Sequence, residues 1–421
     1  MSATTATPAG LEPAHAEVVS ATLPLIGARI DEITAEFYRR MFANHPELIR
    51  NLFNRGNQAQ GAQQRALAAS IATFATHLVD PNLPHPAELL SRIGHKHASL
   101  GVTADQYPIV HENLFAAIVA VLGAETVTEE VATAWDRVFW IMAQTLIDLE
   151  HDLYERAGVP DGDVYRRARV TSRVDDLSGA VLLTVKSSGE PFGEFFPGQY
   201  VSVGVTMPDG ARQLRQYSLV NAPGAQELMF AVKPVGEVSE WIAKNVCVGD
   251  ILDVTVPFGD LPAPPDGKPL TLISAGIGIT PMIGILEFVA RQSPDTRVQI
   301  LHADRGDRTH PLRERQLELL AQLPSATMDV WYEDGLTEGR TGAHPGLLSL
   351  DGIDLPDGAE IYLCGNNGFV QAVRAQLLAR AITDASVHCE RFSPNDRPLY
   401  AGQTPADPSW RRWARGGPRN R

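Results

Sequence analysis

The sequence predicts a multidomain chain in three parts: an all-α segment over 11–154, an antiparallel β-barrel over 164–262 and an α/β parallel-sheet unit over 263–394. Three observations predict this order. Apolar residues recur at steps of three and four as far as Tyr154, the helical period. From 164 onward they alternate with polar residues, the period of a half-buried strand. After 263 the pattern becomes apolar run, glycine turn, helix, which builds a parallel sheet covered on both faces. Residues 155–163, with Gly158, Pro160 and Gly162, read as a linker, and a Pro-rich connector at 261–267 precedes the third part. The segment 395–421 holds six arginines against two aspartates among Pro and Gly, and is expected to be disordered or loosely attached.

Composition narrows the function. A chain of 421 residues is too long for one core. A net charge of −14 supplies no phosphate-neutralising excess, so no nucleic-acid partner is expected. Cys247, Cys364 and Cys389 are odd in number and far apart, which fits a reducing cytoplasm rather than a disulfide framework. The first ten residues lack a basic start followed by an apolar core, so no signal peptide is expected. The uncharged stretch 269–286 contains Gly276, Gly278, Pro281 and Gly284; it reads as strand, turn and helix, and no membrane insertion is expected.

In the first part, Ile26, Ile30, Ile33, Phe37 and Met41 form one helical stripe. Leu67, Ile71, Phe74 and Leu78 form another, which Gln63 extends by a turn. Leu90, Ile93 and His97 share a face, whereas His95 lies about 200° around the helix from His97 and should face water. Thr103 and Gln106 have the spacing of a capping box opening the helix of Tyr107. Val131, Trp135, Val138, Met142, Leu146 and Leu153 mark a long last helix that also carries Glu150. Spacing alone leaves His97 as either a satisfied core histidine or a ligand.

Strands are expected near 168–174, 180–186, 201–205, 228–233 and 251–256, with a short helix at 239–246 capped by Ser239. Buried strands are expected at 270–274, 298–302 and 360–364. Gly276-Ile-Gly278-Ile-Thr280-Pro281 stands between a strand and a helix. Its glycines let the backbone approach a pyrophosphate held at the helix N-terminus. In Arg215-Gln216-Tyr217-Ser218, the arginine could pair with phosphate, the tyrosine cover a flat ring and the serine bond a ring nitrogen; an ordinary barrel strand is equally compatible.

These motifs occur in a fixed order. Phe196-Pro197-Gly198-Gln199-Tyr200 comes first, then Arg215 to Ser218, then Gly236-Glu237-Val238-Ser239. Gly276 to Pro281, Tyr362-Leu363-Cys364-Gly365 and Phe392-Ser393-Pro394 follow. The series resembles the ferredoxin–NADP⁺ reductase superfamily. In front of it stand Phe37-Tyr38 with Met41-Phe42, Pro46-Glu47-Leu48 with Phe53-Asn54, Lys96-His97 with Tyr107, and Glu150. Together, over about 23–394, the chain resembles a bacterial flavohaemoglobin, a nitric oxide dioxygenase in which a globin is fused to a reductase module.

That resemblance implies an all-α globin domain, an FAD-binding β-barrel and an NAD(P)-binding α/β domain, with haem b, FAD and NADH or NADPH as cofactors. It makes His97 the iron ligand, with Tyr107 and Glu150 behind it. A carboxylate there raises imidazole basicity. It makes Tyr38 and Gln63 hydrogen-bond donors to the oxygen ligand, packs Phe53 and Leu67 against the porphyrin, and puts Lys96 near a propionate or in solvent. Arg215 and Ser239 would hold the flavin diphosphate beside Val238, with Tyr200, Gln216, Tyr217 and Ser218 near the flavin. Gly276, Gly278, Thr280 and Pro281 would bind the nicotinamide cofactor's phosphates, and Cys364 and Gly365 would line the hydride-transfer site. Phe392, followed by Ser393 and Pro394, would stack on the flavin and yield to nicotinamide. Ser393 and Asn366 depart from the family's usual glycine and proline. The implied reaction takes electrons from NAD(P)H through FAD to haem and converts nitric oxide to nitrate with O2, in a cytoplasmic monomer. An oxygen-binding sensor or carrier, and a reductase of lipid or alkyl hydroperoxides, remain alternatives. Asp304 suits a ribose hydroxyl and Arg305 a 2′-phosphate; NADH is favoured.

Overall fold

The computed structural model describes residues 10–51, 61–80, 82–83, 89–335 and 342–392. Phe53, Ser393, Pro394, the segment 395–421 and the side chain of Gln63 lie outside the described residues.

Among the described residues, seven α-helices come first: α1 (Pro13–Ala28), α2 (Ile30–Asn44), α3 (Pro46–Asn51), α4 (Ala62–Val79), α5 (Ser91–Ala98), α6 (Tyr107–Leu122) and α7 (Glu129–Ala157). The expected stripes bury Ile33, Phe37 and Met41 of α2 against Phe74, Leu114, Val138 and Leu146 in one core. α7 is bounded at both ends. The Thr128 hydroxyl accepts from the Val131 amide, and Gly158 closes the helix in a left-handed conformation at φ 68°. The expected capping box is not formed. Thr103 precedes a single 3₁₀ turn and its hydroxyl bonds Asp105 instead. Pro108 sits in the first turn of α6, where a missing N–H costs nothing, and so fixes where that helix starts.

The next part is one antiparallel sheet of β1 (Tyr165–Asp175), β2 (Val181–Ser187), β3 (Tyr200–Thr206), β4 (Arg212–Ser218), β5 (Glu227–Val232) and β6 (Ile251–Thr255). The strand order is β4-β3-β6-β1-β2-β5. It curls until Leu219, just past β4, bridges Phe230 of β5. Alternate residues point into the curl. Leu183 and Val185 of β2 and Val201, Val203 and Val205 of β3 all join Phe230 and Val254 in its core.

Helix α8 (Glu237–Asn245) interrupts the sheet. Ser239 does not cap it from outside, as expected, but occupies its third residue. Gly236 is the flanking residue, and the Ser239 hydroxyl reaches back to accept from the Val235 and Gly236 amides, both at 3.1 Å.

The last part is a second sheet, parallel throughout, in the order β10-β9-β8-β7-β11-β12. Its strands are β7 (Leu270–Ala275), β8 (Val298–Asp304), β9 (Ala326–Tyr332), β10 (Ala343–Pro345), β11 (Glu360–Cys364) and β12 (Val387–Glu390). The helices are α9 (Ile279–Gln292), α10 (Arg313–Leu320) and α11 (Asn367–Ala379). Alternate residues of β7 serve opposite faces. Leu270 and Leu272 pack with Ile283 and Leu319, and Ile273 packs with Val370 and Val373. β9, β10 and β12 were not expected: β10 and β12 are the short edge strands, and β9, paired on both sides, opens on four residues none of which is buried, so their apolar signal is weak.

A further small core joins the helical part to the first sheet: Ala98, Leu153 and Tyr154 meet Val164, Val256 and Phe258. No described helix is long and apolar enough to cross a membrane.

Candidate active site

Helix α5 runs against α7 so closely that a Cβ on Gly94 would collide with Leu149. Three residues on from Gly94, and one on from Leu149, stand His97 and Glu150. His97 Nδ1 lies 2.8 Å from Glu150 Oε1, and the Tyr107 hydroxyl donates to the same oxygen at 2.6 Å while lying 3.2 Å from Nδ1. Glu150 keeps only 3% of its side chain exposed, and its Oε2 is buried without a hydrogen-bond partner. Burial and the neighbouring carboxylate raise the Tyr107 pKa, so its phenol stays a donor. A carboxylate at 2.8 Å holds the imidazole proton on Nδ1. That leaves the Nε2 lone pair for a metal, on a side chain that is one-third exposed. Tyr38 of α2 is buried beside Phe37 and Phe42, at ring separations of 4.8 and 5.6 Å. Leu67 of α4 packs on the same core as Tyr38 and Tyr107.

The opposite face of α5 does not face water. His95 Nδ1 accepts a hydrogen bond from the Gly259 amide at 3.0 Å, and burial lowers its pKa, as suits a neutral acceptor. This corrects the expectation from helical phase: His95 does point away from His97, but the chain leaving β6 occupies the place of solvent. Lys96 donates to Gln216 Oε1, Gln216 donates to Ser202 at 2.8 Å, and Ser202 meets Ser99 at 3.2 Å. Burial, with Arg92 and Arg215 nearby, pulls the Lys96 amine down to about 7. Lys96 is thus turned to the first sheet rather than left in solvent.

The alternation of β4 splits its motif between two faces. Gln216 and Ser218 share one face; Arg215 and Tyr217 share the other. Tyr217 stacks on Phe230 at 5.5 Å and 16°, and its hydroxyl is buried without a partner. Tyr200 stands in register with Ser218 across the β3–β4 ladder. α8, which carries Val238 and Ser239, packs against β4, which carries Arg215. The stacked ring and unsatisfied phenol suit a planar, hydrogen-bonding ligand, and an arginine on a strand packed by a helix suits a phosphate.

At the carboxyl edge of the parallel sheet the glycine loop turns with Gly276 at φ 54°. A Cβ on Gly278 would come within 2.6 Å of the Cys364 carbonyl oxygen and 2.9 Å of the Gly365 amide. The loop therefore lies directly on Cys364-Gly365. Thr280 donates to the Ile277 carbonyl at 3.0 Å and, like Pro281, is buried at the start of α9. Cys364 is fully buried and in register with Ser274 on one side and Glu390 on the other, so Phe392 emerges two residues past that junction, half exposed. This is the edge at which open α/β sheets bind ligands.

Residues 35–146 match the Globin family, and residues 272–375 match the Oxidoreductase NAD-binding domain family. The chain is 37% identical over 402 residues to the flavohemoprotein of Bordetella parapertussis, covering 91% of this chain and 98% of that one. It is 31% identical to the flavohemoprotein of Bacillus subtilis, over 90% of this chain and 96% of that one. The chain belongs to the flavohemoprotein family. The solved flavohemoglobin of Malassezia yamatoensis, with bound FAD and heme, superposes with a TM-score of 0.83 at 33% identity, covering 91% of this chain and all of that one. The FAD/NAD-binding domain of a nitric oxide dioxygenase from Vibrio cholerae aligns with 54% of this chain and 98% of its own length, at 32% identity and a TM-score of 0.51.

Two features of this flavohemoprotein were not anticipated. Asn366 caps α11: its side-chain oxygen accepts from the Phe369 amide at 3.0 Å. The docked face of α5, formed by Ser91, Arg92, His95, Lys96 and Ser99, was also missed. Its signal is a second stripe at steps of three and four, polar rather than apolar and turned away from His97.

Proposed function

We propose that this flavohemoprotein passes electrons from NAD(P)H through FAD to haem b and uses O2 to convert nitric oxide to nitrate. The observation that carries the reading is His97 held on Nδ1 by a buried Glu150 and Tyr107, in the same molecule as a glycine loop seated on Cys364-Gly365. Bound haem supplies the iron at which O2 and nitric oxide react, and bound FAD turns a hydride into single electrons. The chain's residues do the rest. Glu150 keeps the His97 proton on Nδ1 and raises the basicity of Nε2. Tyr38 offers a hydroxyl on the ligand side, and Leu67 restricts the space there. Tyr217 and Ser218 orient the flavin, while Arg215 and Ser239 hold its phosphates. The backbone at Gly276 and Gly278 admits the nicotinamide cofactor's pyrophosphate, and Phe392 covers the flavin until nicotinamide replaces it.

The test is NADH-dependent consumption of nitric oxide by the haem- and FAD-loaded protein, with nitrate as product. Reduction of cytochrome c with nitric oxide left untouched would overturn the reading. Faster turnover of an alkyl hydroperoxide than of nitric oxide would move it to a peroxide reductase.

A further inference from the structure

Arg92 lies five residues before His97, about 7.5 Å along the same helix at 1.5 Å per residue. Its Nη2 donates to the carbonyl of Arg391, the residue immediately before Phe392. Arg391 in turn follows Glu390, which stands in register with Cys364. One guanidinium therefore joins the helix of the proposed iron ligand to the chain that delivers the proposed flavin-covering ring. Two further contacts of this helix face, from Ser91 to Asp260 and from His95 to the Gly259 amide, reach the chain leaving β6 and not the Phe392 segment.

We propose that Arg92 is a positioning residue that ties α5 to the segment entering Phe392, so that nicotinamide binding and the setting of His97 are coupled through it. This rests on reading His97 as the haem ligand and Phe392 as the displaced ring. α5 is only eight residues long, and His97 is fixed on its far side by Glu150 of α7. A shift of the Arg391 carbonyl when Phe392 moves pulls on the Arg92 side chain, and beyond the reach of that side chain it breaks the bond or moves α5 against α7. The movement of α5 gives the two sites a shared free energy, and such coupling is reciprocal. The haem side biases the resting place of Phe392, and nicotinamide biases the bond that His97 makes.

The experiment uses the ferric, haem- and FAD-loaded full chain, with NAD⁺ as a redox-inert probe. Cyanide affinity is read from the Soret band with and without saturating NAD⁺, and NAD⁺ binding is read separately from the flavin absorbance. The expected result is a cyanide Kd that NAD⁺ changes by about 5-fold in the parent protein, the low end of usual couplings. Arg92→Ala should still bind NAD⁺ but lose that change; Arg92→Lys, which keeps a charged donor, should retain part of it. Ser91→Ala, on the same face but tied to Asp260, should retain all of it. If Arg92→Ala does not fold, Arg92→Met keeps the stem without the donor. An unchanged cyanide Kd while the flavin reports NAD⁺, or a full change surviving in Arg92→Ala, would overturn the proposal. A flavin that never responds to NAD⁺ would instead remove the nicotinamide reading itself, and the proposal with it.

Discussion

Glu150→Gln separates the charge of the carboxylate from its shape. Glutamine can still accept from His97 Nδ1 and the Tyr107 hydroxyl through its carbonyl oxygen, so the 2.8 and 2.6 Å contacts survive as neutral bonds. A charge-assisted bond is roughly twice as strong as a neutral one, which sets the loss at the His97 contact near about 1 kcal/mol. Because ionised Glu150 favours the oxidised iron, the part of that loss felt by the ferric state alone raises the haem midpoint potential, by at most about 40 mV, from about 59 mV per tenfold for one electron. Stability moves little, since burying the charge with one oxygen unpartnered already carries a desolvation cost. Glu150→Leu differs: it strands two donors and should cost about 3–5 kcal/mol. Potentiometry and the iron–histidine stretching frequency of the reduced protein check this, both being expected to shift together. A potential and stretch identical to the parent's in a folded, haem-loaded Glu150→Gln would refute the tuning of His97 by Glu150.

The other expectations are simpler. His97→Ala should lose the Soret band of histidine-ligated haem while NADH still reduces the flavin; a retained five-coordinate histidine spectrum would name another ligand. Gly278→Ala drives a methyl into the Cys364 carbonyl, and backbone cannot rotate away. The expected cost is about 1–3 kcal/mol together with weaker NADH binding, checked by flavin reduction kinetics, and unchanged kinetics would contradict the packing. Burial, reinforced by Arg313, pulls His310 down to about 4, below the roughly 6.5 of an unfolded histidine. Between those values the unfolded chain binds more protons, so this stability is complete above about pH 6.5 and falls as pH drops toward about 4, by up to about 3 kcal/mol. Urea midpoints at pH 7 and 5 should diverge less in His310→Gln than in the parent; an equal divergence would exclude His310 as the cause.

What could be read in advance follows from where the signal resides. The helical stripes of α2, α4 and α7, the alternation of β3 and the glycine turn after β7 each rest on near neighbours in the chain, so their periods survive in the sequence. The edge strands β10 and β12 escaped notice because a short edge strand buries too little to write a strong apolar pattern, and the inner strand β9 because none of its first four residues is buried. Ser239 lies three positions from the cap expected of it, and Thr103 precedes a 3₁₀ turn rather than the helix of Tyr107, because hydroxyls bond either forward or backward, and the backbone decides which.

That His97 and His95 face opposite ways follows from the order of residues alone, since it depends only on helical pitch. What each of them faces does not follow from that order. Packing settled it, because Glu150 lies 53 residues from His97, Gly259 lies 164 from His95, and Arg391 lies 299 from Arg92. Such pairings depend on how whole helices and sheets come together, through close approaches such as Gly94 on Leu149, and no local period records them.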